Sequence, residues 1–369
     1  MADKSKYLFG INAGPGTLPS GDDNSISLQT FRHFKNLMYE SINSGTLGES
    51  IVRTYSLVYT TSASAYSGGV LSSNGDIHFI PDNAPVGQKV DINGIVSTYN
   101  LAYTTSNAYS GGVLSPNGDI HFIPNHALVG QKVDINGNVT TYSLVDTNDT
   151  YSGGVLTPNG DIHFIPLDSP IGQKVDINGI VSTYGLVLYT GPDAYFGGVL
   201  APNGDIHFIP YYAKVGQKVD INGNVSTYSL VYTTGGGYHG GVLAPNGDIH
   251  FVPNWSQVGQ KIDINGNVST YSLAYTTSVA YNGGVLAPNG DIYFIPFGAS
   301  VGQKIDINGI VSTYSLAHTH FFGYRGGVLT PNGDIHFIPY LAQVGQKITT
   351  LSAKPFSLGM CLSPFFNKF

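Results

Sequence analysis

The chain of 369 residues has one cysteine, one tryptophan and three methionines. A single thiol, Cys361, excludes an intrachain disulfide framework. Charge is scarce: Asp, Glu, Lys and Arg together make up 11% of the residues, the net charge is −7, and no run of lysines and arginines forms a basic patch. That argues against nucleic-acid binding through the phosphate backbone. No apolar stretch is long enough to span a membrane, and Met1–Lys6 lacks the hydrophobic core of a secretory signal. The expectation is a product made and assembled in a cytoplasm, with no membrane insertion. Catalytic signatures are missing too: there is no His-Glu-x-x-His, no phosphate-binding loop and no Gly-x-Ser-x-Gly. On these grounds no catalytic residue, resident metal or cofactor is expected.

Glycine (48) and tyrosine (25) are abundant, and they recur in register. The string Gly-Gly-Val-Leu-x-x-Asn-Gly-Asp-Ile begins at Gly68, Gly111, Gly153, Gly197, Gly240, Gly283 and Gly326, in steps of 43, 42, 44, 43, 43 and 43 residues. A period near 40–45 with strand-like content is the signature of a β-propeller blade. Around the second copy, Val96–Leu101, Gly112–Leu114, Asp119–Pro124 and Gln131–Ile135 are strand-like runs bounded by turn residues. Asn117-Gly118 and Asn136-Gly137 fit tight hairpins in which both residues take positive φ. A lone four-stranded sheet cannot bury two apolar faces, whereas stacking such sheets in a ring buries both.

The strand order resembles that of WD-repeat and Kelch propellers, which puts the glycine strand inside and the Tyr-Ser-Leu strand outside. A copy of the outer strand precedes the first glycine strand at Val52–Leu57, and none follows Gln346-Lys347-Ile348. Val52–Tyr59 is therefore predicted to complete the seventh blade beside Val344–Thr350, which removes an exposed edge. The fold class is all-β: a seven-bladed propeller over 52–350. A non-repeating extension, 1–51, precedes it with one amphipathic helix at about 28–43, on the spacing of Leu28, Phe31, Phe34, Leu37, Met38 and Ile42. A tail, 351–369, follows with Phe356, Phe365, Phe366 and Phe369. Exposed, these apolar ends would invite aggregation. Phe31, Phe34, Met38 and the four tail phenylalanines are therefore candidate docking residues, on the disc or on another subunit.

Three polar motifs repeat. His78, His121, His163, His207, His250 and His336 share one position, where the sixth copy has Tyr293. Spread around a disc they do not converge on one ion, and tyrosine as a substitute suits packing between blades. Lys89 and Asp91, Lys132 and Asp134, and their counterparts onward to Lys304 and Asp306 point the same way on a strand, which suggests cross-strand or inter-blade ion pairs. The acids of Asn-Gly-Asp, from Asp76 to Asp334, either ring a channel mouth that would suit a hard cation or stabilise their own turns; the turn reading is preferred.

Where repeats build a scaffold, specific function belongs where the copies differ. The connections after Ile-Pro and those before Gly-Gly differ, and both lie on one side of the disc; the near-constant Asn-Gly turns lie on the other. The diverse side carries Phe196, Tyr211, Tyr212, Trp255, Phe297, Phe321, Phe322 and Tyr340, candidate residues for binding a partner. The tyrosine two residues before each double glycine recurs in every copy and is assigned to the scaffold. His239, His318 and His320 fall outside the pattern and are the histidines to inspect for catalysis.

The Gly-Gly-Val-Leu-x-Pro-Asn-Gly-Asp-Ile-His-Phe-Ile-Pro repeats resemble those of propeller proteins of phages and large viruses, and the ending Leu-Ser-Pro-Phe-Phe-Asn-Lys-Phe is similar to tails of phage structural proteins. The resemblance implies a virion component: a capsid decoration, tail or fibre subunit made in a host cytoplasm and partnered by other subunits. The alternatives are a lectin-like binder of host glycans and a propeller lyase or hydrolase.

Overall fold

The computed structural model describes residues 50–61, 63–148, 150–188 and 191–350. The expected helix with Phe31, Phe34 and Met38, and the tail with Phe356, Phe365, Phe366 and Phe369, lie outside the described residues. Among the described residues there are 28 strands and no helix. They form seven four-stranded antiparallel sheets. In the first blade the strands run Tyr66–Leu71, Ile77–Pro81, Val86–Val90 and Val96–Asn100, hydrogen-bonded in that order from the axis outward. Each inner strand packs against the next, and Tyr324–Leu329 returns to Tyr66–Leu71, so the ring is closed.

Closure uses both ends of the repeat region. Ile51–Ser56 pairs antiparallel with Val344–Thr349 as the outer strand of the seventh blade. It stops short of the expected Tyr59. The N–H groups of Val58 and Tyr59 donate instead to Gln88 Oε1 of the first blade, at 3.1 and 2.7 Å. The same fully buried glutamine recurs in each third strand, and Gln131 and Gln260 hold the connection leaving the preceding blade in the same way.

The double glycine has two separate causes. Gly68 has φ +86°, and a Cβ there would lie 3.1 Å from the Cα of Gly111 on the neighbouring inner strand. A Cβ on Gly69 would lie 2.6 Å from Ile338 Cδ1 of the seventh blade. Inner strands therefore approach as closely as backbone allows, with a register shift between Tyr66 and Gly69. The buried tyrosine before them packs edge-on against the second-strand phenylalanine, Tyr66 on Phe79 at 5.5 Å, and its hydroxyl donates to the Val86 carbonyl.

The hairpins differ from expectation. Positive φ falls on the glycine alone, as at Gly118 and Gly137; neither Asn117 nor Asn136 adopts it. Gly118 N–H donates to Ser115 O and Ser115 N–H to Asp119 O. This is a three-residue loop, a type I turn followed by a left-handed glycine, and Pro116 suits its first corner.

The lysines make the cross-strand ion pairs expected of them: Lys89 bonds Asp76 of the second strand's turn, at 2.7 Å, and not Asp91 two residues on. All seven copies do this, including Lys347 with Asp334, where the residue two along is Thr349. Asp91 instead accepts the N–H groups of Asn93 and Ile95 and shapes its own turn. The Asn-Gly-Asp carboxylate keeps the preferred turn role and adds the ion pair to it: Asp76 and Asp119 accept the side-chain amides of Asn74 and Asn117 in their own turns, at 3.3 and 3.2 Å, as well as the lysine. The histidines act inside their blades, with His78 Nδ1 3.2 Å from Tyr99 Oη of the outer strand and His336 likewise from Tyr55. Burial first, then the nearby lysine, pushes each of these six imidazoles down to about 4.

Candidate functional site

The residue between the scaffold tyrosine and the double glycine is the second of each inner strand, at the channel mouth on the diverse side. Around the ring it reads Ser67, Ser110, Ser152, Phe196, His239, Asn282 and Arg325. Near-identical scaffolds thus place seven side chains of five kinds around one opening. Phe196 is one of them. It belongs to the strand Tyr195–Leu200 and is 6% exposed, so it is not the surface loop aromatic expected from its neighbours.

Arg325 spans the mouth. Its guanidinium carbon lies 4.9 Å from the Phe196 ring centre and 5.3 Å from that of Tyr340. A terminal N–H reaches Ser110 Oγ at 3.4 Å, two blades around the ring. Its Nε is buried without a hydrogen-bond partner, and none of the ion pairs among the described residues involves Arg325. The serines link laterally, Ser67 to Ser110 at 3.3 Å and Ser110 to Ser152 at 3.1 Å. Asn282 Nδ2 lies 3.4 Å from His239 Nε2, and burial together with the Arg325 charge holds that imidazole neutral. Asp82 is the nearby acid. Burial raises its carboxyl to about 6, against the pull of Arg325 and His126.

Two aromatic groups flank this centre. Phe196, Tyr211 and Tyr212 pack in sequence, with ring centres 5.9 and 4.8 Å apart. Trp255 extends this group by lying on Gly236, where a Cβ would be 2.8 Å from its Cδ1. Phe297, Phe321, Phe322 and Tyr340 form the second group, with Phe297 4.7 Å from Phe322 and 5.5 Å from Tyr340. The eight aromatics are thus two clusters bridged by Arg325, not one continuous surface. Tyr212, Trp255 and Phe321 keep 47%, 47% and 59% of their surface exposed; the others chiefly support them. Packing on a guanidinium face contributes about 0.5–2 kcal/mol and leaves its edge for hydrogen bonds to an anion.

His239, His318 and His320 do not assemble into one site. His239 lies in the mouth, while His318 bonds Tyr324 Oη at 3.1 Å beside His320. The sequence reading missed Arg325, Asp82 and the serines. The available signal was one variable position inside an otherwise constant Tyr-x-Gly-Gly string.

The fold and its mouth define the class: a closed seven-bladed propeller with one uniform and one diverse face. No family model and no curated protein matches the chain. Among solved structures it resembles a catalytically inactive virginiamycin B lyase from Staphylococcus aureus with quinupristin, at TM-score 0.73 and 17% identity over 82% of this chain and 100% of that one. It also resembles the hydrazine synthase of Kuenenia stuttgartiensis, at 0.63 and 15% over 79% and 97%. An extracellular domain of a hybrid two-component system from B. thetaiotaomicron matches at 0.64 and 11%, over 82% of this chain and 41% of that one. At such identities the likeness is one of fold alone.

Proposed function

We propose that this is a non-enzymatic binding propeller that holds a protein partner on its diverse face. Arg325 receives a carboxylate of the partner, and Tyr212, Trp255 and Phe321 receive the apolar surface beside it. The observation that carries the reading is a guanidinium held between Phe196 and Tyr340, outside any ion pair among the described residues, where the otherwise constant copies diverge. An arginine flanked by aromatics is typical of the residues that dominate interface energetics. The test is selection of a random peptide library on the wild type. Enrichment of Asp or Glu beside aromatic residues, lost on Arg325→Ala, supports the reading; no enrichment, or binding indifferent to Arg325, counts against it.

A second reading, a glycan binder, draws on the exposed faces of Tyr212 and Trp255. A glycan array on wild type and Trp255→Ala separates the two. The narrower setting, a virion subunit anchored by its ends to other subunits, rests on the sequence resemblance alone. Its test is whether removal of 1–45 or 355–369 blocks incorporation into an assembly while the propeller stays folded.

A further inference from the structure

On the uniform face, the gaps between blades are walled by the ion-pair residues of one blade and capped by the Asp-Ile-Asn-Gly turn of the next. Between the seventh and first blades, Asp334, His336 and Lys347 face Asp91–Gly94 across a cavity of about 330 Å³. Between the second and third, His121 and Lys132 face Asp176–Gly179 across about 90 Å³. The seam between the sixth and seventh blades is different. The seventh blade has no such turn, because its outer strand arrives from the other end of the chain. The cavity there is about 900 Å³, with Ile51, Tyr293, Lys304, Ile307, Tyr314 and Leu316 in its lining.

The seam also departs from the scaffold chemically. Tyr293 replaces histidine and places its hydroxyl 2.8 Å from Ser50 Oγ, a bond no histidine blade makes at this position among the described residues. Both ends of the propeller arrive here. Ser50 lines the cavity. Thr350, which corresponds in the repeat to Ile92 of the first blade, closes on Gly333 through its hydroxyl at 2.6 Å, with Pro288 of the sixth blade alongside. In the first blade Ile92 covers Gly75 and Asn93-Gly94 turns the chain back. After Thr350 the sequence reads Leu-Ser-Ala-Lys in place of Asn-Gly.

We infer that this seam is the docking groove of the chain's own C-terminal segment, residues 351–369, whose apolar side chains take the place of the missing turn. The segment leaves the propeller at Thr350, beside the groove, and carries Leu351, Phe356, Leu358, Met360, Leu362 and Phe365. An extended chain advances about 3.3 Å per residue, so Cys361 reaches roughly 35 Å from Thr350, ample to cross the seam. The lining offers apolar partners, including Ile51, which is 42% exposed. The groove runs along the outer strands of the two blades and shares no lining residue with the channel mouth, so the inference stands independently of the partner-binding reading.

The single native cysteine supplies the test. Asn308→Cys puts a second thiol in the seam, and Asn93→Cys puts one at the equivalent turn position on the other flank of the seventh blade. Both sites are exposed turn positions, so folding is not at stake. Under mild oxidation of the full chain, the Asn308→Cys protein is expected to form its intramolecular disulfide with Cys361 at least tenfold faster than the Asn93→Cys protein, at a rate independent of protein concentration. Equal rates, a faster Asn93→Cys protein, no disulfide in either, or disulfide-linked dimers as the main product would overturn the inference.

Discussion

Acid is the perturbation to which this fold is most exposed. His78, His121, His163, His207, His250 and His336 are buried and hydrogen-bonded or packed against an outer tyrosine, and burial lowers each from 6.5 to about 4. Unfolding returns each to about 6.5. The unfolded chain therefore binds more protons between these values, and the stability present above pH 6.5 is lost as pH falls toward 4. At pH 5 each histidine costs about 2 kcal/mol, so the six together remove about 12 kcal/mol, comparable to the whole stability of a typical domain. Asp82 acts in the opposite sense: with its carboxyl raised to about 6, it regains about 1 kcal/mol by pH 5. Urea denaturation at steps from pH 7.5 to 5 should show a steep decline of the unfolding free energy. His163→Tyr, which copies the sixth blade, should reduce the proton uptake on unfolding by about one. An unfolding free energy that stays flat from pH 7 to 5 would refute the account of these histidines.

Two other predictions concern the scaffold. A double-mutant cycle of Lys174 and Asp161, 2.6 Å apart, should give a coupling of about 1–2 kcal/mol, whereas Lys174 and Asp176 should show much less; the reverse ranking would contradict the cross-strand pairing. Gly216→Ala places a Cβ 2.1 Å from the Tyr228 ring and should cost at least about 2 kcal/mol by overpacking. Gly185→Ala, with nothing within 4 Å, should leave the melting temperature unchanged; equal effects at the two positions would contradict the packing described.

The architecture was legible because the repeat is nearly exact. Period, strand runs and the displaced copy at Val52–Leu57 together required a ring closed by both ends. What the sequence concealed was pairing between strands. Lys89 and Asp91 share a strand face, yet register sets Lys89 against the turn carrying Asp76, a relation fixed by the hairpin and invisible to spacing along one strand. The site was half visible for a similar reason. Loop variation pointed to the diverse face and to Trp255 and Tyr212, which flank the mouth there. Arg325 went unnoticed because a single variable residue inside a constant string matters only once seven inner strands bring their copies of it to one axis.

Trp255 is the chain's sole tryptophan, lies on the proposed binding face and is 47% exposed, so its fluorescence reports on that face alone. The most direct measurement is acrylamide quenching of Trp255 in the presence of the peptide that selection enriches most. Protection from quenching in the wild type, absent in Arg325→Ala, is the result the account predicts. Quenching unchanged by a peptide that binds the wild type, or protection undiminished in Arg325→Ala, would contradict it.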